Sequence, residues 1–172
     1  MIMIAGAKGT IADVDAVLIS IQHFAEEHQI TIQVFDARSV YGAIHLLSAV
    51  EHAQRAFRQK TNAMKSLPLE IMLYASGERQ IHKALSKMGI KQNTTETALL
   101  LVTEEISDQP SINKLLEKLL LELSFVRDDK VLEGDIDTLQ RFGITQTEIE
   151  TIEEDHYGDL ILEKVALVDI IK

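Results

Sequence analysis

The chain alternates short apolar runs with amphipathic stretches. Residues 1–5 (MIMIA) are closed by Gly6 and Gly9 and read as a buried strand. Asp13 can cap a helix to about His28, with Val14, Val17, Leu18, Ile21, Phe24 and Ala25 on one face. ITIQVFD at 30–36 is rich in β-branched residues and predicts a second strand. From Ser39 to about Gln59, Val40, Ala43, Ile44, Leu47, Val50 and Phe57 recur at three- and four-residue steps, the clearest amphipathic helix in the chain. After Pro68, LEIMLYA at 69–75 reads as a third strand broken by Ser76-Gly77, and residues 77–89 predict a helix with Gly89 as its C-cap. TALLLVT at 97–103 is a continuous apolar run, as in a strand covered on both faces. Pro110 sits in the first turn of a Leu-rich helix to about Leu123, and two further helical patterns span 135–156 and 158–171. Strands alternating with helices predict a single α/β domain over 1–172, a central mixed sheet of four or five strands flanked by helices.

Composition narrows the chemistry. The 172 residues suit one domain with a core large enough to stand without metal or disulfide staples. Cysteine is absent, which removes disulfides, thiolate nucleophiles and Cys-based metal sites, and makes a cytoplasmic setting the expectation. The first ten residues lack the basic-then-apolar layout of a secretory signal, and no apolar run approaches a membrane span, so no membrane partner is expected.

Catalytic and cofactor signatures are weak. Gly6-Ala7-Lys8-Gly9-Thr10 follows a strand, but it lacks the spacer and Gly-Lys-Ser/Thr order of a phosphate loop and reads as a strand-to-helix turn. His45 and His52 lie seven apart and His23 and His28 five apart, neither matching the i, i+4 pair of a helical zinc site. The carboxylates at 148–155 read as a solvated helix face. The expectation is no catalytic residue, no metal and no cofactor: not an enzyme.

Charge is distributed unevenly. The formal net charge of −10 argues, taken as a total, against a nucleic-acid binder. By position it resolves into +2 over residues 1–92 and −12 over 93–172. Within 55–91, Arg55, Arg58, Lys60, Lys65, Arg79, Lys83, Lys87 and Lys91 oppose only Glu70 and Glu78, a local +6. Arg79, Lys83 and Lys87 step by four and predict a basic stripe on one helix. Cations at helix C-termini complement the dipole, which accounts for Arg55, Arg58 and Lys87 but not for Arg79 near a helix start. Anion binding and solvated surface both remain open on these residues alone.

The segment LEIMLYASGERQIHKALSKMGI, with Gly-x-Arg-Gln-Ile at 77–81, resembles the kinase-binding subunit of the KEOPS complex, the Cgi family, called PRPK-binding protein (TPRKB) in animals. The helix at 39–60 leading into Asn62 and the segment LILEKVALVDI are similar too, so the resemblance covers nearly the whole chain, and the length fits an archaeal member. It implies a non-catalytic tRNA-processing role. Family members bind and activate the small PRPK-type atypical kinase and hold the single-stranded 3′ acceptor end of tRNA. The assembly installs threonylcarbamoyl-adenosine, and its sugar-kinase-like subunit carries that transfer.

On these residues, the resemblance implies a tRNA site of Gly77, Arg79, Gln80 and Ile81, with Lys60, Asn62, Lys83, Lys87 and Lys91 around it. A splayed strand needs cations for its phosphates and flat or apolar groups beneath its bases. Ile81 reads equally as core. From 160 to 171 nine of twelve residues are apolar, so that helix must be buried on two sides or meet a partner. Ile161, Val165, Val168 and Ile171 are the kinase-facing candidates by spacing. Two competing readings stand beside this one. One is a small α/β ligand-binding or catalytic domain that captures an anionic metabolite in a deep pocket at Arg79; the other is an assembly protein whose basic patch docks an acidic neighbour.

Overall fold

A computed structural model describes residues 1–105 and 108–171. Its centre is β3 (Glu96–Val102), the run with no polar face. Leu99 and Leu101 point to one side of the sheet while Ala98, Leu100 and Val102 point to the other, so both sets are buried. β1 (Ile2–Lys8) lies antiparallel on one flank, pairing Ile2 with Val102 and Ala5 with Leu99. β2 (Thr31–Asp36) lies antiparallel on the other, pairing Thr31 with Val102 and Val34 with Leu99. A two-residue β4 (Val126–Arg127) adds to β1 at Ala7 and Lys8, which completes the order β2-β3-β1-β4.

The predicted α/β class holds and the sheet has four strands, within the expected four or five, although the short β4 stands in for the strand expected at 69–75. The mixed sheet does not hold, because every pairing is antiparallel. A parallel sheet needs a crossover for each neighbour, whereas here the second helical layer intervenes between strands that run in opposite directions.

One face is covered by α1 (Val14–His28) and α5 (Gln109–Glu122). Asp13 caps α1 by accepting from the Ala16 amide, and Asp108 caps α5 by accepting from Ser111, with Pro110 in the first turn. The other face carries α2 (Gly42–Gln59), α3 (Leu67–Ser76), α4 (Ile81–Met88), α6 (Ile136–Phe142) and α8 (Tyr157–Ile171). Ser39 ends a short 3-10 turn, so α2 begins three residues later than the pattern suggests.

The strand expected at 69–75 is helix α3. Packed against α2, α4, β2 and α8, it buries every residue from Glu70 to Ser76 and leaves no polar face to reveal its period. Gly77 ends it in the left-handed conformation at φ 67°, which only glycine adopts cheaply. The single helix expected at 135–156 is divided. α6 starts from a capping box at Asp135 and Thr138 and ends at Gly143, with φ 100°, and α7 (Gln146–Ile149) starts from a second capping box at Thr145 and Glu148.

Candidate nucleic-acid interface and the family of the chain

The Gly77–Ile81 segment is the connection between α3 and α4, and the fold determines which of its groups face outward. The Gly77 amide donates to Tyr74 O and that of Glu78 to Leu73 O, which closes α3. A Cβ on Gly77 would sit 3.2 Å from the Lys164 Cβ of α8, so the turn is also closely packed. Gln80 is the N-cap of α4, yet its side chain caps nothing. Its carbonyl takes the Lys83 and Ala84 amides, while those of Ile81 and His82 have no acceptor among the described residues. Arg79 is exposed immediately before this uncapped turn, and Lys83 is exposed one turn into it. Free amides at a helix start beside two cations form an arrangement suited to phosphate oxygens.

Arg79 also resolves the dipole objection. Its Nη1 donates to the Ile171 carbonyl at 3.3 Å, so it lies at the C-terminal end of α8, where a cation is favoured. Ile81 opens α4 half-buried and packs against the core, leaving the remainder of its side chain accessible.

The remaining predicted residues divide. Lys87 does not belong to a basic stripe: its Nζ donates to Ser76 O at 2.8 Å and pairs with Glu78 at 3.3 Å. The ammonium also lies 4.0 Å from the Phe142 ring centroid. Burial lowers its pKa against the pull of Glu78. α4 starts after Arg79 and turns Lys87 inward, so of the three residues spaced by four only Arg79 and Lys83 are outward cations. Lys91 is exposed, its Nζ donating to Ser86 O.

Lys60 and Asn62 precede α3, at the opposite end of that helix from Gly77; its ten residues span about 15 Å. Lys60 is the exposed left-handed C-cap of α2, and Asn62 shapes the loop by donating to Met64 O. That loop is pinned by a residue the sequence reading passed over. Glu70, fully buried, accepts the amides of Ala63 and Met64 at 2.9 and 2.7 Å. An isolated Glu inside an apolar run was the available signal.

The other omission is Asp169 on α8, which accepts from Arg55 at 2.6 Å, from His52 at 2.9 Å and from the Tyr74 hydroxyl. Burial opposes its ionised form, but these donors outweigh burial and hold the carboxyl below its usual range. Arg55 is therefore committed to α8 rather than to the basic surface. Of the kinase-facing candidates, Ile161, Val165 and Val168 are fully buried beneath α8 and unavailable to a partner. Their spacing marks the inward face; the exposed apolar residues at that end are Ile170 (77%) and Ile171 (42%).

The family model for the kinase binding protein CGI-121 matches residues 11–169, nearly the whole of this fold. The chain belongs to the CGI-121 family. It is similar to the regulatory protein Cgi121 of Methanocaldococcus jannaschii, 29% identical over 143 residues, which cover 81% of this chain and 84% of that protein. The CGI-121 match runs through the α3–α4 connection, both capping boxes and most of α8. No helix among the described residues is long and apolar enough to cross a membrane.

Proposed function

We propose that this chain is a non-catalytic, cytoplasmic subunit of a KEOPS-type assembly. It binds and activates a PRPK-type kinase and recruits tRNA by its single-stranded 3′ end for threonylcarbamoyl-adenosine formation. Membership of a family described as kinase binding supports the kinase half. The observation that carries the tRNA half is the uncapped first turn of α4, with free Ile81 and His82 amides flanked by Arg79 and Lys83. Gln80 is half-buried beside them and supplies an amide for a base edge, and the accessible part of Ile81 supplies apolar surface. Lys60, with Asn62 beside it, and Lys91 add exposed cations further off, before α3 and after α4. In this reading the kinase meets the exposed end of α8 at Ile170 and Ile171, and the sugar-kinase-like subunit is reached only through that kinase.

The metabolite reading required a deep pocket converging on Arg79. The cavity beside the motif has a volume of ≈ 170 Å³ and Arg79 does not line it; its cations, Lys87 and Lys164, are paired with Glu78 and Glu148. The test is filter binding of tRNA across a salt series. Arg79→Ala weakens binding and lowers the slope of log affinity against log salt by about one, the signature of one lost phosphate contact. An unchanged slope removes Arg79 from the interface.

A further inference from the structure

In the strand order β2-β3-β1-β4, the outer edge of β1 is only half covered. The Gly6 amide donates to Asp129 Oδ1 at 2.9 Å and the Gly6 carbonyl accepts the Asp128 amide at 2.9 Å, so Gly6 faces that edge. Alternate residues of a strand face the same way, which places the amide and carbonyl groups of Ile2 and Ile4 on it too. β4 covers the edge only at Ala7 and Lys8, and among the described residues its hydrogen bonds end at Gly6. Natural edges are usually blunted by lysine, proline, a bulge or a covering segment. Residues 1–4 (MIMI) contain no lysine or proline, and β1 pairs with β3 without a bulge.

A groove of ≈ 320 Å³ opens beside the free half, lined by Ile4, Gly42, Ala43 and Leu132, with Asp129 and Glu133 at its rim. Ile44, 55% exposed, follows directly on α2. The rim belongs to an acidic stretch, 128–137, which holds five carboxylates and one lysine. Asp128 and Asp129 are paired with Lys8 and Arg127, whereas the Glu133 carboxylate has no partner among the described residues.

We infer that this edge is a docking site for an extended segment of a partner protein, apolar at alternate residues and carrying a lysine or arginine. The segment continues the sheet where β4 leaves it, exchanging main-chain hydrogen bonds with Ile2 and Ile4. Its apolar side chains enter the groove and its cation meets Glu133. A second copy of this chain is the poorer occupant, because pairing two such edges brings their acidic rims together.

The test titrates the 15N-labelled full chain with the peptide acetyl-Val-Lys-Val-Thr-Val-Lys-amide. Two further peptides are N-methylated on alternate residues, one in each register. The expected result is saturable shifts at Ile4, Ala43 and Leu132, with amide exchange at Ile2 and Ile4 slowed about tenfold. One methylated register binds and the other does not, and Glu133→Gln weakens the unmethylated peptide several-fold. Absence of saturable shifts, or equal binding of both methylated registers, overturns the proposal. Slowing at Ile4 that rises with protein concentration alone assigns the edge to self-pairing and overturns it equally.

Discussion

His45 ties the start of α2 to the end of α3, and its burial makes a measurable pH dependence. The ring is 1% exposed; Nε2 donates to Ala75 O at 2.7 Å and Nδ1 accepts the Tyr41 amide at 3.2 Å. Both nitrogens are satisfied only in the neutral form, and burial, with Lys87 nearby, pushes the pKa down to about 4 from 6.5. A base whose pKa is lowered by folding binds its proton more readily when unfolded. Stability is therefore full above pH 6.5 and is lost as pH falls from 6.5 towards 4. Between pH 7.5 and 5.0 this single group costs about 2 kcal/mol, from the difference in proton binding between the two states.

The comparison protein is His45→Gln, which does not titrate and retains an amide able to donate to Ala75 O. Urea unfolding of both proteins at pH 7.5 and 5.0 cancels the contributions of every other group. The wild type is expected to lose about 2 kcal/mol more than the variant over that interval. Parallel losses in the two proteins would refute the assignment of His45 as a buried neutral ring.

Three further outcomes follow from the site. Glu70→Ala leaves the Ala63 and Met64 amides without their carboxylate acceptor and is expected to cost about 2–3 kcal/mol in urea unfolding. Faster amide exchange is expected at those two residues. Gly77→Ala forces an alanine to φ 67° against the Lys164 stem, a loss of about 1–2 kcal/mol read from the urea midpoint. Lys83→Ala and Lys87→Ala separate interface from scaffold: the first weakens tRNA binding with the melting temperature unchanged. The second lowers stability by about 1–2 kcal/mol through the lost Ser76 and Phe142 contacts, measured by thermal unfolding.

Most of the fold was legible because most of its elements keep a wet side or bear explicit stops. α1, α2 and α5 carry caps or one-sided stripes, and β3 is so uniformly apolar that only a doubly covered strand suits it. LEIMLYA defeated the same logic. A helix buried on every side has no polar period, and a seven-residue apolar run fits either a strand or a core helix. Pro68 in the first turn, Glu70 shortly after it and Gly77 at the end are helix punctuation that outranks β-propensity.

That error carries into the site. With 69–75 read as a strand, Arg79, Lys83 and Lys87 seemed one stripe; once α3 is a helix, α4 starts later and Lys87 swings inward. Three of the four α8 candidates point inward for a related reason. Spacing identifies a face, but not whether it meets the core of this chain or a partner, and Ile161, Val165 and Val168 meet the core. The position of the basic window was readable from charge alone, because solvation rather than packing governs where unpaired cations lie. Arg55 and Lys87 are its exceptions, each claimed by a carboxylate contributed from elsewhere in the fold or from the adjoining turn.

The central claim is that an otherwise acidic chain holds the single-stranded end of tRNA at the α3–α4 connection. The most direct measurement is the affinity of the full chain for one tRNA, intact and trimmed of its unpaired 3′ nucleotides, at fixed salt. Stacking and base-edge contacts are worth about 1–3 kcal/mol per base, so trimming is predicted to reduce binding by at least about tenfold. It should also erase the difference between wild type and Arg79→Ala. Equal affinity for the two forms would contradict the account.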